Sequence, residues 1–91
     1  ANINKSVLGF RCKAQDGANV EGCVFIGDNV IGKGAKVKNV ILDRYVEVAP
    51  GFTIGYDPEE DRKLLSQYKK GKINISENGI IVVGKGIKLG I

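Results

Sequence analysis

The chain has 91 residues, a net charge of +4, 43% hydrophobic and 26% charged residues, which describes one small globular domain rather than a disordered segment. It contains no histidine, and that excludes most Ser and Cys hydrolase triads, His-based zinc sites and His general bases. Six aromatics and no Lys/Arg run interleaved with them argue against nucleic-acid binding and read the basic excess as a solvated, lysine-rich surface.

From the N-terminus, three segments align without gaps at a period of 17 residues: Ile3 to Asn19, Val20 to Lys36 and Val37 to Thr53, with a fourth opening at Ile54-Gly55. Aliphatic residues recur inside each unit at steps of five, six and six, as Ile3, Leu8, Ala14, then Val20, Phe25, Ile31, then Val37, Leu42, Val48. That spacing matches no 3.6-residue helix. Small or acidic residues follow several of them (Gly9, Gly32, Asp43, Ala49, Gly55), which is a hexapeptide pattern. It predicts an all-β chain folded as a left-handed parallel β-helix of about three coils, a triangular prism whose coils stack about 4.8 Å apart.

The inward columns are then Ile3/Val20/Val37/Ile54, Leu8/Phe25/Leu42 and Ala14/Ile31/Val48. Four residues after each, a second inward set is expected: Val7/Val24/Ile41, Ala18/Ala35/Phe52 and Cys12/Asn29/Val46. A buried Asn29 needs partners for its amide; a one-residue slip in the second coil, burying Val30 instead, is the alternative. Gly17, Gly34 and Gly51 recur at one corner and predict positive φ there. Cys12 and Cys23 share no column and read as reduced thiols of a cytoplasmic protein. The first coil leaves unpaired strand edges and apolar Ile3, Val7 and Leu8 to be covered by something else in the intact protein.

Residues 1–56 thus form the coils, and residues 57–91 a capping helix and strands of the same domain. Asp57-Pro58-Glu59-Glu60 reads as a helix start, with Asp57 as N-cap and acids facing the dipole. The helix is expected to run to about Lys70, burying Leu64, Leu65 and Tyr68 and stopping at Gly71, with Arg62 pairing with acids one turn earlier. Ile73 to Ile75 and Gly79 to Val83 read as strands around a Ser76–Gly79 turn, and Lys85 to Leu89 as a tail that pairs at an edge or frays. The longest apolar run is Ile80 to Val83, so no membrane span or signal peptide is visible. A first residue Ala1 and the absence of Met suggest a fragment or a processed chain.

The stretch ILDRYVEVAPGFTIGYDPEEDR (Ile41 to Arg62), followed by SENGIIVVGKG (Ser76 to Gly86), resembles the C-terminal domain of bacterial ADP-glucose pyrophosphorylase, glucose-1-phosphate adenylyltransferase. The resemblance spans essentially the whole chain, and its specificity lies in the Ile41–Arg62 junction and the Gly79–Val83 strand. Three features depart from the family pattern. The Lys63–Asn78 stretch is longer, Ala49 stands where proline is usual, and the N-terminal nucleotidyltransferase domain has no counterpart.

The resemblance implies a parent reaction of ATP with glucose 1-phosphate, giving ADP-glucose and pyrophosphate for glycogen synthesis. Magnesium and ATP would belong to the parent's catalytic domain, with no cofactor and no catalytic residue in these 91 residues. It implies docking on the chain's own N-terminal catalytic domain, assembly into a homo-oligomer (a tetramer in the parent), and a share in a cleft for an anionic sugar-phosphate effector. The residues that match the effector cleft are Arg44 and Lys85. The bland alternatives are a surface ion pair of Arg44 with Asp43 or Glu47, and simple solvation of Lys85 in a mobile tail.

Competing readings divide on simple features. Hexapeptide acyltransferases and β-helical carbonic anhydrases require the histidines this chain lacks. Another sugar nucleotidyltransferase, such as a mannose-1-phosphate guanylyltransferase, a non-catalytic regulatory homologue, or an assembly module without ligand would share these coils. The effector's identity is not legible in the residues.

Overall fold

The computed structural model describes residues 2–68 and 72–90. Each 17-residue unit contributes one short strand to each of three sides of a prism. The first coil gives β1 (Asn2–Asn4), β2 (Val7–Phe10) and β3 (Lys13–Ala14); the second gives β4 (Asn19–Glu21), β5 (Val24–Gly27) and β6 (Val30–Ile31); the third gives β7 (Lys36–Lys38), β8 (Val40–Leu42) and β9 (Glu47–Val48). A fourth coil opens with β10 (Thr53–Ile54). Strands of successive coils pair in parallel and in register, Ile3 beside Val20, Leu8 beside Phe25 and Ala14 beside Ile31. The chain is therefore a parallel β-solenoid of about three turns, as the repeat predicts.

The three aliphatic columns form the core as expected, with Val20, Phe25, Ile31, Val37, Leu42, Val48 and Ile54 all buried. Asn29 is fully buried and Val30 only half-buried, so the second coil keeps its register without a slip. The cost of burying that amide is offset by a complete set of partners. Gly27 N–H donates to Asn29 Oδ1 (3.1 Å), the Cys12 thiol lies 3.4 Å from the same oxygen, and Nδ2 donates to Asp43 O (2.8 Å) and Val46 O (3.2 Å).

The second inward set is corrected on one side. Val7 and Val24 are exposed and Ile41 half-buried, while Cys23 and Val40 are buried in their place. The side that starts at Ile3 is one residue shorter than the others. Its second inward residue therefore comes three positions on, at Ser6, Cys23 and Val40, and Val7, Val24 and Ile41 turn outward. Ala18, Ala35 and Val46 are buried as expected.

After Gly55 and Tyr56 the fourth coil is interrupted by helix α1 (Pro58–Leu65). Asp57 caps it, its Oδ1 accepting from Glu59 N–H (3.0 Å) and Glu60 N–H (3.4 Å). The helix is shorter than expected, ending at a Ser66 cap; the expected end at Lys70 and stop at Gly71 lie outside the described residues, as does the side chain of Leu65. Leu64 and Tyr68 pack on the core, and Tyr68 accepts from Gly90 N–H (2.9 Å). Asp61 is 6% exposed and both its oxygens accept from Gly55 N–H (3.2 and 3.1 Å). Among the described residues no ion pair involves Arg62, contrary to the expected pairing along the helix.

The chain then resumes the lattice. Strand β11 (Ile73–Ile75) pairs antiparallel with β12 (Ile81–Val83), and β12 lies parallel to β8. Strand β13 (Lys88–Leu89) lies parallel to β9. The segment Lys85 to Leu89 thus pairs at a sheet edge, one of the two outcomes expected of it, and does not fray. Leu89 is fully buried as the fourth member of the Ala14/Ile31/Val48 column, and Val83 as the fourth of the Leu8/Phe25/Leu42 column. No helix among the described residues is long and apolar enough to cross a membrane.

Candidate functional site

The corner between the second and third sides of the prism is built from two stacked turn positions. One is occupied by Phe10, Gly27 and Arg44, the next by Arg11, Asp28 and Tyr45. The second position requires positive φ, and it is taken by three residues with a Cβ: Arg11, Asp28 and Tyr45, at φ 53, 54 and 62°. Each stores roughly 1 kcal/mol or more of backbone strain. The corner that carries Gly17, Gly34 and Gly51 (φ 76, 71 and 73°) avoids that strain with glycine, as the sequence predicts.

The turn between β12 and β13 seats on this corner. Gly86 N–H donates to Arg44 O at 2.9 Å, which places Lys85 in the rung directly above Arg44 and Gly86 above Tyr45. The two residues selected from the sequence are therefore neighbours at one corner, although 41 positions separate them in the chain, the same offset that puts Lys88 beside Glu47.

The side chains are held differently. Arg44 lies across the backbone of Gly27: a Cβ at Gly27 would sit 3.8 Å from Arg44 Nε. Asp43 Oδ1 accepts from the Arg44 backbone N–H (2.7 Å), and Glu47 pairs with Lys88. Among the described residues no ion pair includes Arg44 or Lys85, so the surface pair that would give Arg44 a purely structural role is not formed. Lys85 Nζ stands 5.7 Å from the Tyr45 ring centroid, a cation–π contact that restrains the ammonium without neutralising it. Lys85 also sits between two paired strands rather than in a loose tail.

Below them Arg11 grips Asp28, with Nη2 donating to Oδ2 at 3.1 Å. The hydrogen bond from Arg11 holds the Asp28 carboxyl below the ordinary range, and the charge of Arg44 adds to the effect. The corner thus carries one internally neutralised pair and two cations above it, Arg44 and Lys85, with Asp43 alongside. Chemically this suits a multivalent oxyanion. A guanidinium forks onto two oxygens and an ammonium adds a point charge.

Sequence reasoning did not single out Tyr45 and the Arg11–Asp28 pair at this place. Their signal lies in the lattice itself, since Arg11, Asp28 and Tyr45 are 17 residues apart. A groove of about 330 Å³ lies elsewhere, between α1 and the Ser76–Gly79 turn, with Asp61 and Arg62 in its wall; neither Arg44 nor Lys85 reaches it. Burial, with help from the neighbouring charges of Asp57 and Glu60, raises the Asp61 carboxyl above its ordinary value, against the Gly55 N–H that lowers it. Among the described residues no three of His, Cys, Asp or Glu come together as a metal would need.

Comparison with known proteins extends these observations. The GlmU-like, C-terminal hexapeptide family matches residues 1–83. The chain is 38% identical over 90 residues to a glucose-1-phosphate adenylyltransferase of Photobacterium profundum, covering 99% of this chain and 20% of that protein. It is 37% identical over 90 residues to glucose-1-phosphate adenylyltransferase 1 of Vibrio parahaemolyticus, with the same coverage. A glucose-1-phosphate adenylyltransferase of Parafrankia sp. is 38% identical over 87 residues, covering 96% of this chain and 19% of that protein. The chain spans about one fifth of the length of these relatives, in their C-terminal part.

Proposed function

The chain belongs to the GlmU-like, C-terminal hexapeptide family, and from its similarity to the C-terminal part of glucose-1-phosphate adenylyltransferases we propose that it is the C-terminal solenoid of a cytoplasmic enzyme of that kind, serving assembly and the reading of an anionic effector. The parent reaction transfers an adenylyl group from ATP to glucose 1-phosphate, with magnesium, and releases pyrophosphate. That chemistry falls to the portion of the relatives that this chain does not span. What these residues contribute is a rigid stack whose corner presents Arg44 and Lys85 to a sugar phosphate, beside the parent's own catalytic domain.

The observation that carries the reading is the convergence of Arg44 and Lys85 on adjacent rungs through the Gly86 N–H to Arg44 O bond (2.9 Å). Charge-assisted hydrogen bonds contribute about 1.5–3 kcal/mol each, so Arg44→Ala should weaken phosphate binding by about tenfold or more, and Lys85→Ala by somewhat less. Calorimetric titration of inorganic phosphate and of glucose 6-phosphate into the wild-type chain and the two variants measures this. Unchanged affinity in the double variant would remove the corner as an effector site. The parent activity is tested separately, by assaying the complete protein with ATP plus glucose 1-phosphate and with GTP plus mannose 1-phosphate. Turnover of the second pair alone would overturn the substrate assignment.

A further inference from the structure

The acids Asp28, Asp43 and Glu47 flank the Arg44–Lys85 corner, and among the described residues each has another partner. Asp43 Oδ1 accepts from the Arg44 backbone N–H (2.7 Å), and Glu47 pairs with Lys88. Asp28 is held most completely: Arg11 Nε donates to one carboxylate oxygen and Nη2 to the other. The Arg11 side chain is 72% exposed and that of Asp28 only 17%, so the guanidinium reaches over the surface to a carboxylate set into the corner. The backbone puts Asp28 between two arginine-bearing rungs. Asp28 N–H donates to Phe10 O (2.8 Å) in the rung below, and Tyr45 N–H to Gly27 O (3.2 Å) from the rung above. Arg44 turns down towards Asp28, its Nε 3.8 Å from the point a Cβ of Gly27 would take. The hydrogen bond from Arg11 dominates what holds the Asp28 carboxyl low, and the charge of Arg44 acts in the same direction. Arg44 is thus the other cation to which Asp28 responds.

We propose that Arg11 is a positioning residue of the anion corner: by occupying both oxygens of Asp28 it keeps that carboxylate from pairing with Arg44, whose guanidinium stays available to an oxyanion. This role rests on the effector reading above and adds the residue that keeps the site open. A carboxylate takes the same planar fork of a guanidinium that a phosphate takes, so Asp28 and the ligand compete for one group. With Arg11 in place, the competitor already has its partner. The bidentate geometry matters, because it fixes the direction of the carboxylate as well as its charge. A lysine at position 11 would act as a point charge, without the fork that fixes both oxygens. The fork of Arg11 is itself used up on Asp28, so Arg11 acts on the ligand through Asp28 and Arg44 rather than by touching it.

The test is a double-mutant cycle read by calorimetric titration of inorganic phosphate into the wild-type chain, Arg11→Gln, Asp28→Asn and the double variant. Asparagine suits position 28, whose φ is 54°. Arg11→Gln should weaken phosphate binding about tenfold, because Asp28 then takes Arg44. Asp28→Asn alone should change it by less than about twofold, and the double variant should return to within about threefold of wild type. Arg11→Lys should fall between wild type and Arg11→Gln. A double variant as weak as Arg11→Gln would make Arg11 a direct ligand and overturn the proposal. So would an Asp28→Asn gain of the same factor in both backgrounds, which means that the charges simply sum. A second readout needs no phosphate: the titration of the Asp28 carboxyl by NMR, with and without Arg44→Ala. Arg44→Ala should raise the Asp28 midpoint further in Arg11→Gln than in the presence of Arg11, since Arg44 becomes the partner only when Arg11 is gone. Equal shifts overturn the exchange of partners. Phosphate binding that depends on Arg44, together with equal shifts, refutes the role of Arg11 and leaves the effector reading standing. Unequal shifts in a chain that binds no phosphate do the reverse.

Discussion

Asn29→Ala tests the lattice at a fully buried amide. The substitution removes the acceptor for Gly27 N–H (3.1 Å) and the donor to Asp43 O (2.8 Å) and Val46 O (3.2 Å). Val46 O still accepts from Val30 N–H at 3.4 Å, so the principal losses are at Gly27 and Asp43. An orphaned buried N–H costs about 1–3 kcal/mol, and the small cavity left by the truncated amide adds about 1 kcal/mol. The sum, about 2–4 kcal/mol, is a large fraction of the roughly 5–10 kcal/mol expected for a domain of this size. It corresponds to a fall in Tm of about 10–30 °C. Asn29→Val, which copies the residue at Val46, refills the space but not the hydrogen bonds and should lose about 1 kcal/mol less. The assay is thermal denaturation followed by circular dichroism, with hydrogen exchange at the Gly27 amide as the local readout. A Tm for Asn29→Ala within about 3 °C of wild type, or unchanged protection at Gly27, would refute the account of how this coil tolerates a polar core residue.

Two further outcomes are expected. Ile31 is fully buried, and Ile31→Asp places a carboxylate inside the prism at a cost of several kcal/mol; the chain should be unfolded at neutral pH, and a native-like melt would show that Ile31 does not face the core. Asp61 has its carboxyl raised above 3.8 by burial, so its ionisation opposes folding above the ordinary carboxylate range. That penalty disappears as pH falls through the raised value. Asp61→Asn, which keeps one oxygen for Gly55 N–H, should therefore gain most in Tm over wild type at neutral pH, with the difference shrinking on acidification towards 3.8; a pH-independent difference would refute the assignment. Asp28, held low by Arg11, has the opposite sign and acts in a lower window, where its pair is lost as pH falls through its lowered value.

The prism was legible because a buried column repeats its chemistry at a fixed step, and Ile3/Val20/Val37/Ile54 advertise that step without interruption. It failed at Val7/Val24/Ile41 for a specific reason. A uniform step of four residues from each aliphatic position ignores the side that is one residue short, and Ser6 disguises the true column. Ser6 is polar because its hydroxyl accepts from Cys23 N–H (3.0 Å), a bond the coil edge needs and a valine there could not make. Hydrophobicity therefore pointed to the neighbouring, outward residue. The same misplacement concealed the second side's outer face: valines taken for core leave no exposed ladder to explain.

The fourth coil was hidden by another cause. Its first strand, β10, and its later strands, β12 and β13, are separated by a helix and a strand. The repeat therefore ends in the sequence at Gly55 while continuing in space to Leu89. Periodicity alone could not put Lys85 over Arg44, because the offset there is 41 rather than 17. Only the family resemblance linked the two residues, and it did so without geometry. In the fold, the link is one hydrogen bond from a glycine with positive φ, Gly86 at 77°, to the carbonyl of Arg44. The insertion moves the chain away and returns it in register, and that return adds a second cation to the corner: below Lys85 the same position holds Arg44, then Gly27 and Phe10, and neither of the last two carries charge. Local sequence decides the coil, but the charge at its corner depends on which distant segment completes the last rung.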